Sequence, residues 1–451
     1  MIPRTAFIFL ICIYRMNCLF GSLRPLSLAL LMLIAPALLR AQGGLEQAKA
    51  DVAYLTSPEL GGRGYSDGGD LKAASYIRDQ FTKLGLEGLS EGYFQNFEVQ
   101  MNALVGPPML KVNGKALVLG KDYLPDEGSG TGDIDGTLKV VTVGSGLVVP
   151  EKGIDDYKGK TVKDAVVLLD LRVPDKVQKD KSIDPVLWGH DNRIAIAASR
   201  GARMVITLVD QLSYGEYGRV TVIPVFKVFR KTFPKNVKTI SAYIATSIRP
   251  FITQNVVAKL RGTSYPDSMI ILTAHYDHLG SLGDNVYFPG ANDNASGVAM
   301  LLGMARYFKA HPLKYSIVFI AFSGEEMGLL GSHYFVGDPL VDLGKARFLL
   351  NMDMTASGKE GVMAVGGVDF PSEFALLKAV TDSLGVKDLR KRENAPNSDQ
   401  FYFIRNGMRG FYIYPFTGLQ PYHRVEDRPA TLQWDVYTRL DAIFRGFLEK
   451  L

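Results

Sequence analysis

The chain has 451 residues, 47% of them hydrophobic and 22% charged, with a formal charge of +5. That is enough for two to three domains and a sizeable core, and too ordinary a composition for a disordered, collagenous or multispan membrane protein. Arg4, Arg15, Arg24 and Arg40 fall in the first 42 residues with no acid beside them, so the remaining 47 basic residues face 46 acids. Electrostatics therefore suggests no nucleic-acid partner.

The N-terminus reads as an export signal over residues 1–41. Arg24 precedes the apolar run Leu26–Leu39, which is short for a bilayer span and suits a signal h-region, with cleavage near Ala41. An exported (periplasmic or extracellular) protein without stable membrane association after signal removal is expected. Cys12 and Cys18 both lie in this leader. The rest of the chain then has no disulfide, no thiolate ligand and no cysteine nucleophile, and any metal must be held by His, Asp and Glu.

After the leader, Leu71, Ala74, Ile77, Phe81 and Leu84 have helical spacing, with Asp70 as the expected N-cap and Gly85 as the stop. Short β-rich runs follow from Gly106 to Ser247: Leu138–Val143, Val166–Leu171, Met204–Val209 and Val220–Val228. A helical stretch Ile194–Arg200 sits among them, as in a βαβ unit within a mostly β module. His190 reads there as a surface loop residue. From Asn255 onward apolar strands alternate with helices. The strands are Met269–Thr273, Ser316–Phe322, Phe348–Met352 and Phe411–Tyr414; the helices are Ala295–Lys309 and a short one around Gly328–Val336. This pattern predicts an α/β fold with a mixed, largely parallel sheet flanked by helices. The expected organisation is 42–105 as the N-terminal part of a catalytic domain, 106–247 as an insert and 248–451 as the catalytic domain proper.

Ionisable residues collect just past these strands: His275 and Asp277, Glu325 and Glu326, Asp353, and His423 after the last. Asp293 lies in the turn before the helix at Ala295, where capping that helix is an equal reading. Ligands in open α/β sheets bind outside the carboxyl ends of strands. Two adjacent carboxylates at the end of an apolar strand repel unless a cation separates them. Imidazole and carboxylate suit zinc, two-metal hydrolytic sites hold their ions about 3.5–4 Å apart, and a carboxylate outside the coordination shell is needed to take a proton from water.

The segments HYDHLG from His275, PGANDNASG from Pro289, SGEEMGLLGS from Ser323, NMDM from Asn351 and YHRVEDRP from Tyr422 resemble the zinc aminopeptidases of peptidase family M28. The helix at Asp70 and the preceding GGRGYSDGG resemble that family's N-terminal portion. The resemblance implies two zinc ions, one held by His275 and Asp353, the other by Glu326 and His423, with Asp293 bridging. Glu325 is then the general base, Asp277 the acceptor of the other ring N–H of His275, and Tyr422 a phenol that hydrogen-bonds the oxyanion, with ring stacking an equal reading. DDYKGKTV and IAIAASRGARMVITLVD in 106–247 are similar to the protease-associated (PA) domain often inserted in this family. His278 and His333 read as packing or surface residues. Many relatives carry histidine where this chain has Gln400. The expected substrate is a peptide. A glutamate-type carboxypeptidase, needing a cationic pocket near Arg405, Arg409 or Arg424, is the alternative, and a non-catalytic receptor-like binding protein a weaker one.

Overall fold

Residues 44–65, 67–215, 220–283, 285–359, 361–416 and 421–451 are described in a computed structural model. The leader falls outside them. The described residues divide into two units, 44–50 and 51–451. In the first, residues 44–50 are helical and Lys49 Nζ lies 2.8 Å from Glu46 Oε1.

In the second unit the long apolar runs become the middle of a sheet. Its strands are β1 (Glu87–Gly88), β2 (Phe94–Leu104), β3 (Thr246–Leu260), β4 (Tyr265–His275), β5 (Tyr315–Phe322), β6 (Ala346–Met352), β7 (Gly361–Val365), β8 (Asp388–Arg392) and β9 (Gly410–Phe416). The order is β1-β3-β5-β4-β6-β9-β7-β8, with β2 paired to β3. The neighbours β5, β4, β6 and β9 are mutually parallel, in register through Ile271↔Val318, Ile271↔Leu349 and Leu350↔Phe411. The flanking pairs β3/β5 and β9/β7 are antiparallel.

Both sheet faces are covered, which is why β4 and β5 are apolar without alternation. Helices α1 (Gly69–Lys83), α2 (Gly297–Ala310), α3 (Leu330–Gly337), α4 (Pro371–Ser383), α5 (Gln400–Arg405) and α6 (Trp434–Leu448) supply the cover. Met269, Ile271, Val318, Ile320, Phe322 and Leu349 pack against Phe335 of α3 and Phe403 of α5. The alternate residues point the other way, Phe319 onto Phe81 of α1 and Phe348 onto Phe447 of α6.

Two local expectations are corrected. Helix α1 starts at Gly69 with left-handed Gly68 as its N-cap, so Asp70 lies inside the first turn; its buried carboxylate accepts from Thr253 Oγ1 at 2.9 Å. Burial pushes that carboxyl up to about 6. Leu71, counted on the apolar face, is half exposed, and Ala73 takes its place. Asp293 does not cap α2 either. The amide of Gly297 donates to Asn294 Oδ1 at 2.9 Å, which frees the Asp293 carboxylate to face elsewhere.

The region between β2 and β3 builds two sheets of its own. One places strands 123–125, 225–229, 204–209, 165–170 and 139–142 side by side, the last four parallel; the other is antiparallel and runs 115–116, 109–112, 240–244, 132–135. The two sheets face each other through Leu110, Ile134, Ala242, Val166, Ile206 and Phe226. The helix His190–Ser199 covers the outer face with Ile194 and Ala197. The expected strand Val220–Val228 begins only at Val225, because Pro224 offers no N–H to a ladder. His190 opens a helix instead of lying in a loop, with Nε2 3.4 Å from Asp126 Oδ2. Leu104 and Thr246, the exit and return points, are partners at one end of the β2/β3 ladder.

Candidate metal centre

Four neighbouring parallel strands end on the same side, and each delivers a polar group there. His275 is the last residue of β4; Glu325 and Glu326 follow β5, Asp353 follows β6, and His423 lies in the segment after β9. Asp293 comes from the irregular turn Ala291–Ser296 ahead of α2, with extended dihedrals of φ −109° and ψ 95°. The structure brings all of these together. His275 Nε2 lies 3.3 Å from Asp293 Oδ1 and 3.4 Å from Asp353 Oδ1. On the other side, His423 Nε2 lies 3.3 Å from Asp293 Oδ2 and 2.9 Å from Glu326 Oε2. Asp293 thus sits between two imidazoles, with one oxygen toward each. Glu325 stands slightly apart, its Oε2 3.9 Å from His275 Nε2.

The atoms aimed inward, His275 Nε2, Asp293 Oδ2, Asp353 Oδ1 and His423 Nε2, are buried and face one another at ion-pair distances without a hydrogen bond. Buried polar atoms are nearly always satisfied, so a cluster of orphans from four chain segments fits a cation between them. His275, Asp293 and Asp353 form one group able to hold a metal ion, His278, Asp293 and Glu326 another, and His275, Glu325 and Glu326 a third. The charges point the same way. Burial opposes a proton on His275, yet Glu325 and Asp353 outweigh it and carry its pKa well above the ordinary value. Burial likewise opposes the charge on His423, but Glu326 and Asp293 raise it to about 11. Burial pushes the Glu325 carboxyl well above the usual range, whereas the histidines around Glu326 overcome burial and hold it near 2. The pocket calls for positive charge.

A surrounding layer fixes these groups. The Asp277 carboxylate accepts from Tyr65 OH at 2.7 Å and from the amides of Glu325 and Glu326 at 3.3 and 3.2 Å. His275 Nδ1 lies 3.3 Å from the Asp277 carbonyl and 3.6 Å from its Oδ1. Ser398 Oγ donates to Asp353 Oδ2 at 2.8 Å, and Asp427 accepts the amides of Asn292 and Asp293. Arg63, fully buried, donates to the carbonyls of Tyr276, Leu55, Pro289, Gly290 and Asp293 at 2.6–3.2 Å. Gly290 is left-handed, and a Cβ there would stand 2.6 Å from the Arg63 guanidinium and 2.2 Å from the Asp293 carbonyl. Arg63→Met leaves five carbonyls without their donor. It is expected to cost about 3 kcal/mol or more, read as a lowered denaturant midpoint.

His278 is a correction of another kind. Read as a packing or surface residue, it is buried with Nδ1 2.6 Å from Glu326 Oε1, inside the cluster. His333 does pack, its ring 4.5 Å from that of Tyr402. Gln400 turns away, donating to the carbonyl of Ala395. Tyr422 stacks on His423 at 3.8 Å. It also lines, with Asp293, Glu325, Asp353, Leu329, Met354 and Tyr412, a cavity of about 90 Å³ over the cluster. Arg63, Tyr65 and Asp427 were not singled out from the sequence; their signal lay in GGRGYSDGG and YHRVEDRP, segments noted for other members.

Residues 255–448 match the model of Peptidase family M28, a span that contains every residue of the cluster. They form a Peptidase M28 family domain. Aminopeptidase YwaD of Bacillus subtilis (strain 168) is 39% identical over 112 residues, 24% of this chain and 23% of that protein. A probable zinc metalloprotease of Pyricularia oryzae (strain 70-15) is 37% identical over 105 residues, 23% of this chain and 20% of that protein. The matches thus span about a quarter of the length of these curated relatives. Among solved structures, BSAP, a zinc aminopeptidase from Bacillus subtilis, superposes with a TM-score of 0.69 at 20% identity, covering 90% of this chain and 95% of that one. An aminopeptidase from Aneurinibacillus sp. strain AM-1 gives 0.62 at 19% identity, covering 90% and 93%. At these identities the likeness is one of fold, and its extent takes in the region between β2 and β3 as well as the large sheet.

Proposed function

We propose that this chain is an exported two-zinc exopeptidase that removes N-terminal residues from peptides, with residues 106–247 as a PA-like insert. The reading rests above all on the buried, inward-facing atoms of His275, Asp293, Asp353 and His423, which converge without hydrogen bonds. His275 and Asp353 would hold one ion, Glu326 and His423 the other, with Asp293 shared. Zinc bound there supplies Lewis acidity toward the scissile carbonyl and lowers the pKa of water. Glu325 takes a proton from the attacking water and returns it to the leaving amine. Its carboxylate borders the cavity and has no competing partner as close as those of Glu326. Asp277 holds the amides of both glutamates and steadies the turn that presents them. Tyr422 lines the same cavity, and its phenol would donate to the developing oxyanion.

The carboxypeptidase alternative loses support. Arg409 is paired with Glu373 at 2.6 Å through both Nε and Nη2, and Arg424 with Glu426. Among the described residues, no Lys or Arg lines the cavity over Glu325. Helices long and apolar enough to cross a membrane are absent from the described residues.

The test is one peptide in free, N-acetylated and C-amidated forms, each with and without chelator. Chelator-sensitive cleavage of the free and amidated forms, with the acetylated form spared, is expected. Loss of cleavage on amidation would move the assignment to a carboxypeptidase, and cleavage indifferent to chelator would remove the metal from the chemistry.

A further inference from the structure

We infer that the insert positions His423, through a loop that reaches from its five-stranded sheet to the backbone of that residue. The inference rests on reading His423 as a metal ligand. His423 has φ +55°, a left-handed conformation that is uncommon and mildly strained for a residue other than glycine, so contacts to its backbone help to keep it. Glu326, Asp293 and Tyr422 hold its ring, and the hold on its backbone comes from the insert: the amide of Tyr214 donates to the His423 carbonyl at 2.9 Å. Tyr214 follows the strand Met204–Val209, and its ring stacks on Phe288 at 5.2 Å, two residues before Gly290. Leu212, Tyr214 and Leu124 of the insert share one apolar cluster with Leu279, Phe288 and Val425, the last two residues beyond His423.

The loop is itself clamped. Glu127, buried, accepts the amide of Gly215, and Lys227 Nζ donates to its two carboxylate oxygens at 2.8 and 2.7 Å. Lys227 also reaches the Ser213 carbonyl at 3.4 Å. An ion pair this well enclosed is costly to form and holds its partners in one arrangement only while both charges are present. The buried pair therefore fixes residues 213–215, and those residues fix His423. One ligand is thus steadied from outside the catalytic sheet, whereas among the described residues the hydrogen bonds and ion pairs of His275 and Asp353 go to the catalytic domain alone.

Two variants of the full chain test this. Tyr214→Pro removes the N–H that reaches His423 and leaves the ion pair. Lys227→Met releases the clamp and leaves the N–H. Val222→Ala, on a solvent-exposed position of the insert, is the control. Two readouts are taken: amide hydrogen exchange over 421–427 in metal-free protein, and a zinc titration against a competing chelator. Exchange over 421–427 should rise about ten-fold or more in both variants while β4 stays protected. One of the two zinc affinities should weaken by about 10–100-fold with the other unchanged, the size of effect seen when support behind a ligand is lost. Unchanged exchange over 421–427 in either folded variant overturns the proposal. So does a parallel loss of both affinities with a fall in melting temperature, which would mark a structural role alone. If the unmodified chain binds fewer than two zinc ions, the two-metal reading fails, and the exchange experiment still decides whether the loop holds the segment.

Discussion

Under the proposed reading, in which Glu325 is the general base, Glu325→Gln is expected to cut turnover by about 10²–10⁴-fold, the usual worth of such a base, while the zinc content is unchanged. The two neighbouring glutamates are not equivalent in the structure. Glu326 has one oxygen 2.6 Å from His278 and the other 2.9 Å from His423, so both are spoken for. Glu325 lies 3.9 Å from His275 and opens onto the cavity. Glutamine keeps the shape and removes the basic site, so metal content by elemental analysis separates the roles. Zinc lost along with activity would make Glu325 a ligand and reverse the assignment of the pair.

Under the same proposed two-zinc reading, Asp293→Asn is expected to lower zinc occupancy at both positions, where Asp353→Asn lowers it at one. The reason is geometric. Asp293 stands 3.3 Å from each of His275 and His423, one oxygen to each, whereas Asp353 approaches only His275. Asn has one carbonyl oxygen and no charge, so neither half keeps its shared carboxylate. Stoichiometry after gel filtration in limiting zinc reads this directly; full occupancy with a small loss of stability would return Asp293 to a local structural role. Capping cannot be that role, since Asn294 already serves α2.

The parts of the fold readable in advance were those set by local pattern. Continuous apolar runs at Met269, Ser316, Phe348 and Phe411, short and rich in β-branched and aromatic residues, read as strands covered on both faces, and the polar residues just past them mark the edge where a site forms. The misread positions needed information that a local pattern does not carry. Helical spacing does not distinguish Asp70 as cap from Asp70 as a buried first-turn residue, because Thr253, its partner, is distant in sequence. Arg63 was invisible for the same reason: four of its five acceptors lie 213 to 230 positions away. His278 shares its short segment with His275 and Asp277, and only the arrival of Glu326 from β5 shows which way it faces.

The pairing of Leu104 with Thr246 bears on the history of such a chain. A long excursion that departs and lands on facing rungs leaves the host sheet in the same register whatever its length. Closing a loop grows more costly only with the logarithm of its size. A tight hairpin turn could bridge the same two residues, so a lineage can acquire, shed or exchange the intervening module without refolding its host. Here the freedom would be one-sided: a replacement would also have to reach back to residue 423.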